Sequence, residues 1–150
     1  VAETGDEARL IADGFERVYV ESEGHGGPRA GLGDIGGGPH YFQGDDWDDT
    51  DEADAYRVWP ANDAAVELER EQWAIFARWN ERHGAGSAEL ETHPGRGGVD
   101  ARYDELSLLL ARYRQAPDDA RRLVGEVRFG AGARYRAEGP DYWFRWRPAG

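Results

Sequence analysis

Two glycine-rich stretches, Gly24-His25-Gly26-Gly27-Pro28-Arg29 and His93-Pro94-Gly95-Arg96-Gly97-Gly98, each hold one histidine and one arginine on backbone that a ligand can approach closely. Brought together with His40 and the carboxylates near Asp34, they would form a pocket for a phosphate or a metal ion. His25, Arg29, His40, His93 and Arg96 are therefore the ligand-binding candidates. The plainer reading makes both stretches tight turns whose histidines hydrogen-bond locally. The four histidines show neither H-E-x-x-H nor metal-ligand spacing, so no metal site and no cofactor is assigned. The acidic run Asp45-Asp46-Trp47-Asp48-Asp49-Thr50-Asp51-Glu52 is rich in oxygen ligands. Counted as an EF-hand from Asp46, however, it puts Asp51 where the glycine belongs and Arg57 where the bidentate glutamate belongs. With a looser ion site as the alternative, it reads chiefly as an exposed loop whose Asp46, Trp47, Asp48 and Asp49 are available to a partner.

Gly31-Leu32-Gly33-Asp34-Ile35-Gly36 spells the G-x-G-x-x-G of dinucleotide-binding folds. That fingerprint requires a following helix whose first N–H groups hold the pyrophosphate. Gly37, Gly38 and Pro39 follow instead, and cannot open a useful helix. A glycine-rich hairpin is expected here. No catalytic residue is assigned: Ser22, Ser87 and Ser107 lack a nucleophile-elbow context, and among 30 acidic residues a suitably spaced carboxylate pair carries no specificity.

Composition narrows the choices further. The chain has no lysine, cysteine or methionine, which excludes Schiff-base chemistry, a Walker-type phosphate lysine, thiol nucleophiles, disulfides and thiolate zinc sites. The same absences point to a GC-rich genome, and the carboxylates to a salt-rich cytoplasm. The formal net charge is −12. It is unevenly spread, with 19 acids and 5 arginines up to residue 75 and 11 acids and 13 arginines beyond it. Such an excess of carboxylate repels nucleic acid and anionic membrane. Arginines alternate with aromatics at Arg134-Tyr135-Arg136 and Trp143 to Arg147, as in single-strand binders, but net acidity argues against that use. The N-terminus lacks a basic segment followed by an apolar one, and no apolar run approaches the ~20 residues of a membrane span. A cytoplasmic location is expected, with Val1 fitting either a processed or an alternative start.

The elements that must position these groups are read from periodicity. Residues 1–14 are expected to be a tail or extension, or one loose helical turn, and 15–150 one domain. Val18-Tyr19-Val20 alternates as a strand with Val18 and Val20 on one face; 29–35, 40–43 and 55–60 follow as short strands. Gly31 and Gly33 suggest a bulge or a close backbone approach. Asn62 or Asp63 caps a helix running to His83, with Ala65, Leu68, Gln72, Ile75, Phe76 and Trp79 as its buried stripe. Asp100 caps a second helix that Pro117 closes, bearing Tyr103, Leu106, Leu109, Leu110 and Tyr113. Asp118-Asp119 opens a short third helix carrying Leu123, Val124 and Val127. Tyr142 to Arg147 alternates as a strand of a C-terminal hairpin. The fold expected is α+β: a small, mainly antiparallel sheet, made of the N-terminal meander plus the C-terminal hairpin, packed against two long helices and one short helix.

In Gly27-Pro28-Arg29-Ala30-Gly31, Gly38-Pro39-His40-Tyr41-Phe42 and Trp73-Ala74-Ile75-Phe76 the chain resembles a family of small uncharacterised bacterial proteins with a GPRxG, GxPHxF and WxIF pattern. The likeness spans most of residues 15–145. It implies no activity, and this chain is richer in glycine around Gly33 and Gly36 to Gly38 than the pattern. On charge, the expected function is an acidic cytosolic module that binds a basic partner protein, in the manner of an antitoxin or immunity protein. The alternative is a small-ligand- or metal-binding enzyme built from the histidine and arginine loops.

Overall fold

Alternation of period two, broken at glycines, dictates most of the strands. A computed structural model of the chain describes residues 2–23, 29–44, 53–130 and 135–149. Helix α1 (Ala2–Ala12) leads into β1 (Glu16–Glu23), β2 (Ala30–Ile35), β3 (Gly38–Gly44) and β4 (Ala53–Pro60). The helical excursion follows, with α2 (Asp63–Gly84), a 3-10 turn at Leu90–Thr92 and α3 (Ala101–Leu110). The chain returns through β5 (Arg121–Phe129), the small ladder β6 (Tyr135–Arg136) and β7 (Gly139–Pro140), and β8 (Tyr142–Pro148).

Strands β1-β2-β3-β4-β5-β8 close into an antiparallel barrel, so the open sheet expected above, backed by two long helices and one short, is corrected. The decisive element is β5. Leu123, Val124 and Val127 suit a short helix as well as a strand, since i, i+1, i+4 spacing over so few residues does not separate the two. As a strand, 121–129 pairs β4 from Ala53↔Glu126 to Val58↔Arg121 and β8 from Leu123↔Pro148 to Phe129↔Tyr142. With β8 also reaching β1 at Glu16↔Phe144 and Arg17↔Trp143, no edge is left over. The expected N-terminal tail is α1, and the second long helix is the ten-residue α3. No helix among the described residues is long and apolar enough to cross a membrane.

The barrel is filled. Val18, Ile35, Phe42, Tyr56, Val58, Leu123, Tyr142 and Phe144 form one buried cluster, joined by Trp146. Phe144 stacks on Trp146 at 4.6 Å and meets Phe42 edge-on at 5.1 Å and Tyr56 at 5.4 Å. A barrel this narrow holds so many rings only where the wall carries no side chain. A Cβ at Gly125 would lie 2.9 Å from both Phe144 and Trp146, and one at Gly31 would lie 2.1 Å from the Val20 carbonyl oxygen.

That close approach accompanies a register shift in β1, where Val18 faces Gly33 but Val20 faces Leu32. The extra residue sends Val20 out of the barrel, so Val18 and Val20 belong to different clusters rather than sharing a face. The glycine-rich hairpin forms as expected: Gly36 and Gly37, with φ of 63° and 85°, make a two-residue turn between Ile35 and Gly38. Their N–H groups donate to the two Glu16 carboxylate oxygens at 2.9 Å each. The amides that would cradle a phosphate in a dinucleotide fold thus hold a carboxylate of the chain itself.

Gly31→Ala is expected to lower unfolding free energy by at least about 3 kcal/mol, the top of the usual overpacking range. Gly38→Ala, whose Cβ would meet nothing within 4 Å, should change it by less than about 0.5 kcal/mol. Urea denaturation of the two variants checks the contrast.

Candidate functional site

With the barrel interior occupied by its own side chains, the cleft found among the described residues lies on the outer wall, where the helices dock. Val20, Leu32, Tyr41 and Trp59 project outward and pack with Ala65, Trp73 and Ala77 of α2. Asn62 caps α2 by accepting from the Ala65 N–H at 2.8 Å, and Asp100 caps α3 through the Tyr103 N–H at 2.8 Å, both as expected. The buried stripe of α2 is rotated from the expected one. Ala65, Gln72 and Trp79 are buried, but Glu69, Trp73 and Ala77 join them while Leu68, Ile75 and Phe76 are half-buried. The helix is covered from two sides, by the barrel wall and by α3, so a wider arc is enclosed than one apolar stripe. Leu109, expected on the buried face of α3, is exposed beside Leu108, whereas Leu106 and Leu110 are fully buried.

Glu69 is the polar centre of this layer, at 1% exposure. Arg114 donates to it through Nε at 2.9 Å and Nη2 at 2.6 Å, and Tyr41 donates its hydroxyl at 2.8 Å. Arg114 Nη2 also reaches Gln72 Oε1 at 2.6 Å, and Gln72 Nε2 donates to the Tyr103 carbonyl at 3.0 Å and Ser107 Oγ at 2.7 Å. One network therefore ties β3, α2, α3 and the segment after α3. Burial, and then the adjacent Glu69 charge, push the Tyr41 phenol far above its usual range. Burial works against the Arg114 charge, but its hydrogen bonds to Glu69 outweigh that and hold the guanidinium protonated.

Beside this network opens a cleft of about 500 Å3. Strand β1 contributes Val20, Glu21 and Ser22, and α2 contributes Gln72, Trp73 and Phe76. His93, Tyr103, Arg114 and Tyr135 complete the lining. Tyr135 meets Phe76 edge-on at 5.3 Å and Trp73 at 5.8 Å, while Trp73 Nε1 donates to the Arg136 carbonyl at 2.7 Å and so fixes β6 against α2. His93 lies against Phe76 at 5.5 Å and Trp79 at 4.5 Å. Its Nδ1 accepts from the Gly95 N–H at 2.8 Å, which leaves the ring proton on Nε2. Burial, followed by the Arg96 charge, lowers its pKa below the ordinary histidine value. Burial raises that of the Tyr103 phenol. The wall is thus aromatic, with the cationic Arg114, the acidic Glu21 and several neutral polar groups converging on it, as ligand clefts are built.

Of the ligand candidates named from sequence, His93 lines this cleft. Arg96 is exposed in the adjoining turn, its N–H donating to the His93 carbonyl at 3.0 Å. His40 sits on β3 opposite Pro60, with Nδ1 2.9 Å from the Gly38 carbonyl oxygen. Arg29 precedes β2, its carbonyl accepting from the Gly44 N–H at 2.6 Å. These three do not line the cleft. His25 and the partner candidates Asp46, Trp47, Asp48 and Asp49 lie outside the described residues. Among the described residues no three histidines or carboxylates come together as a metal cage. Two arginines of the C-terminal aromatic segments are engaged internally: Arg136 pairs with Asp141 at 3.1 Å, and Arg145 with Glu126 at 3.0 Å while lying 4.8 Å over Phe15.

Sequence reasoning missed Arg114 and Glu69. The available signal was a carboxylate at position 69, which falls at i−3 from Gln72 and i−4 from Trp73 and so lies on a face that must be buried. No protein-family model matches the chain, and neither curated proteins nor solved structures include a detectable relative.

Arg114→Ala, which strands the Glu69 carboxylate, should cost about 3–5 kcal/mol in urea denaturation. The neutral pair Glu69→Gln with Arg114→Gln should recover most of that loss. By NMR, His93 should titrate below 6.5, and Arg96→Ala should move its midpoint upward. Because the folded-state value is the lower one, the associated stability is present above pH 6.5 and is lost as pH falls through the His93 midpoint.

Proposed function

We propose that the protein binds a small organic molecule in the cleft between β1, α2 and Tyr135. The observation that carries this is the convergence of aromatic faces from Trp73, Phe76 and Tyr135 with the polar heads of Arg114, Tyr103 and His93 around about 500 Å3. Rings offer a flat ligand area without much loss of rotamer freedom, and few polar groups suffice to orient it. The volume falls within the range of about 300–1,000 Å3 typical of small-molecule sites. The barrel acts as the rigid support, since its interior is occupied by its own side chains.

A second reading follows from charge. The residues up to position 75 carry the whole negative excess, and complementary charge would accelerate capture of a basic partner protein. Asp46, Trp47, Asp48 and Asp49 are the residues that reading relies on. An immunity-type or antitoxin-like role belongs to it.

The two readings separate in a ligand-observed NMR screen of small fragments. Ser22 is exposed on β1 and lines the cleft, so Ser22→Trp should fill it without touching the core. Hits that bind the native chain are expected to be lost in Ser22→Trp while its melting temperature is unchanged. Hits that persist in that variant would overturn the cleft assignment. Loss of capture of a basic partner on changing Asp46, Asp48 and Asp49 to Asn would support the second reading.

A further inference from the structure

The polar lining of the cleft is unequal in its hydrogen-bonding character. Arg114 uses Nε and Nη2 on Glu69 and Gln72, and no partner is found for its Nη1 among the described residues. The pair is also asymmetric toward solvent: the Arg114 side chain retains 28% exposure and that of Glu69 only 1%. An approaching group therefore meets the guanidinium before the carboxylate. Gln72, by contrast, is saturated, with both amide hydrogens given away and its oxygen accepting from Arg114. The Tyr103 hydroxyl also has no hydrogen-bond partner among the described residues, and the raised pKa of this phenol keeps it a donor. On the remaining side, Glu21 brings a negative charge to the lining and the chain as a whole carries −12.

From these residues we infer that the cleft takes a planar aromatic monocarboxylate, its ring against Phe76, Trp73 and Tyr135 and its carboxylate accepting from Arg114 Nη1 and the Tyr103 hydroxyl. Two unused donors, one of them charged, call for an anionic acceptor, and a charge-assisted bond is the stronger kind. Glu21 and the overall field oppose a second negative charge, so a phosphate dianion is disfavoured relative to a carboxylate. The Glu69–Arg114 pair is close to neutral as a unit, so it donates a directed hydrogen bond but offers little net attraction to a polyanion. This inference rests on the cleft being the binding site.

The test compares three ligands of one shape, naphthoate, naphthamide and naphthyl phosphate, by isothermal titration calorimetry. Naphthoate should bind the native chain about tenfold or more tighter than the amide or the phosphate, the worth of a hydrogen bond to a charged group. In the doubly neutral Glu69→Gln, Arg114→Gln variant the ratio of naphthoate to naphthamide affinity should fall to about one. Equal affinity for naphthoate and naphthamide in the native chain, with both abolished by Ser22→Trp, would overturn the carboxylate inference and leave the cleft standing. Tighter binding of the phosphate would overturn it as well. Failure of all three ligands would overturn the carboxylate inference, and binding indifferent to Ser22→Trp would overturn the cleft assignment with it.

Discussion

Six strands curl around Phe42, Tyr56, Tyr142, Phe144 and Trp146, and the crowding of these rings governs the rest of the molecule. Ring pairs at 4.6 to 5.9 Å pack against one another across the interior. Larger barrels can lodge a ligand inside; a six-stranded one lined with rings cannot. The same crowding explains the glycines. Gly31 and Gly125 occupy wall positions where a Cβ would strike Phe42 or Phe144, and the register shift in β1 redirects Val20 outward. Function is thereby displaced to the outer wall.

What the outer wall gains is a second apolar layer with one ion pair sealed into it. Glu69 and Arg114 are costly to desolvate, and a pair of well-packed apolar residues would often be equally stable. Their geometry suggests why a polar solution is useful here. The bidentate contact sets the segment after α3 against α2 at one register, while the Tyr41 hydroxyl ties both to β3. Three elements that share no backbone hydrogen bonds are thus fixed relative to one another, and the cleft is the gap that this fixing leaves. An arginine half-open to that gap is at once a structural tie and a ligand-facing donor.

Arginine serves throughout as the chain's only strong cation, and much of it is spent on rings and carboxylates nearby. Arg70 lies 4.6 Å over Tyr19, Arg17 lies 5.5 Å over Trp143, and Arg102 holds Glu71 at the α2–α3 contact. Planar guanidinium suits both uses, which lysine would serve less well. Within the Arg-aromatic alternation near the C-terminus, suggestive of base stacking when read along the chain, Arg136 and Arg145 are in space paired internally with Asp141, Glu126 and Phe15.

Local chemistry settled a good part of this architecture in advance. The Gly36-Gly37 turn, the Asn62 and Asp100 caps and the strands around Val18, Leu32, Tyr41 and Val58 follow from φ preference, capping and alternation, all of which act within a few residues. His93 was visible as a residue on approachable backbone. Closure of the barrel was not, because residues 121–129 satisfy helix and strand spacing alike and only pairing with β4 and β8 chooses between them. Nor was the partnership of Glu69 with Arg114, separated by 45 positions, since a charge on an apolar face announces a need without naming its partner. The cleft belongs wholly to that second kind of information: its lining comes from β1, α2, α3 and β6, and long-range packing alone brings them side by side.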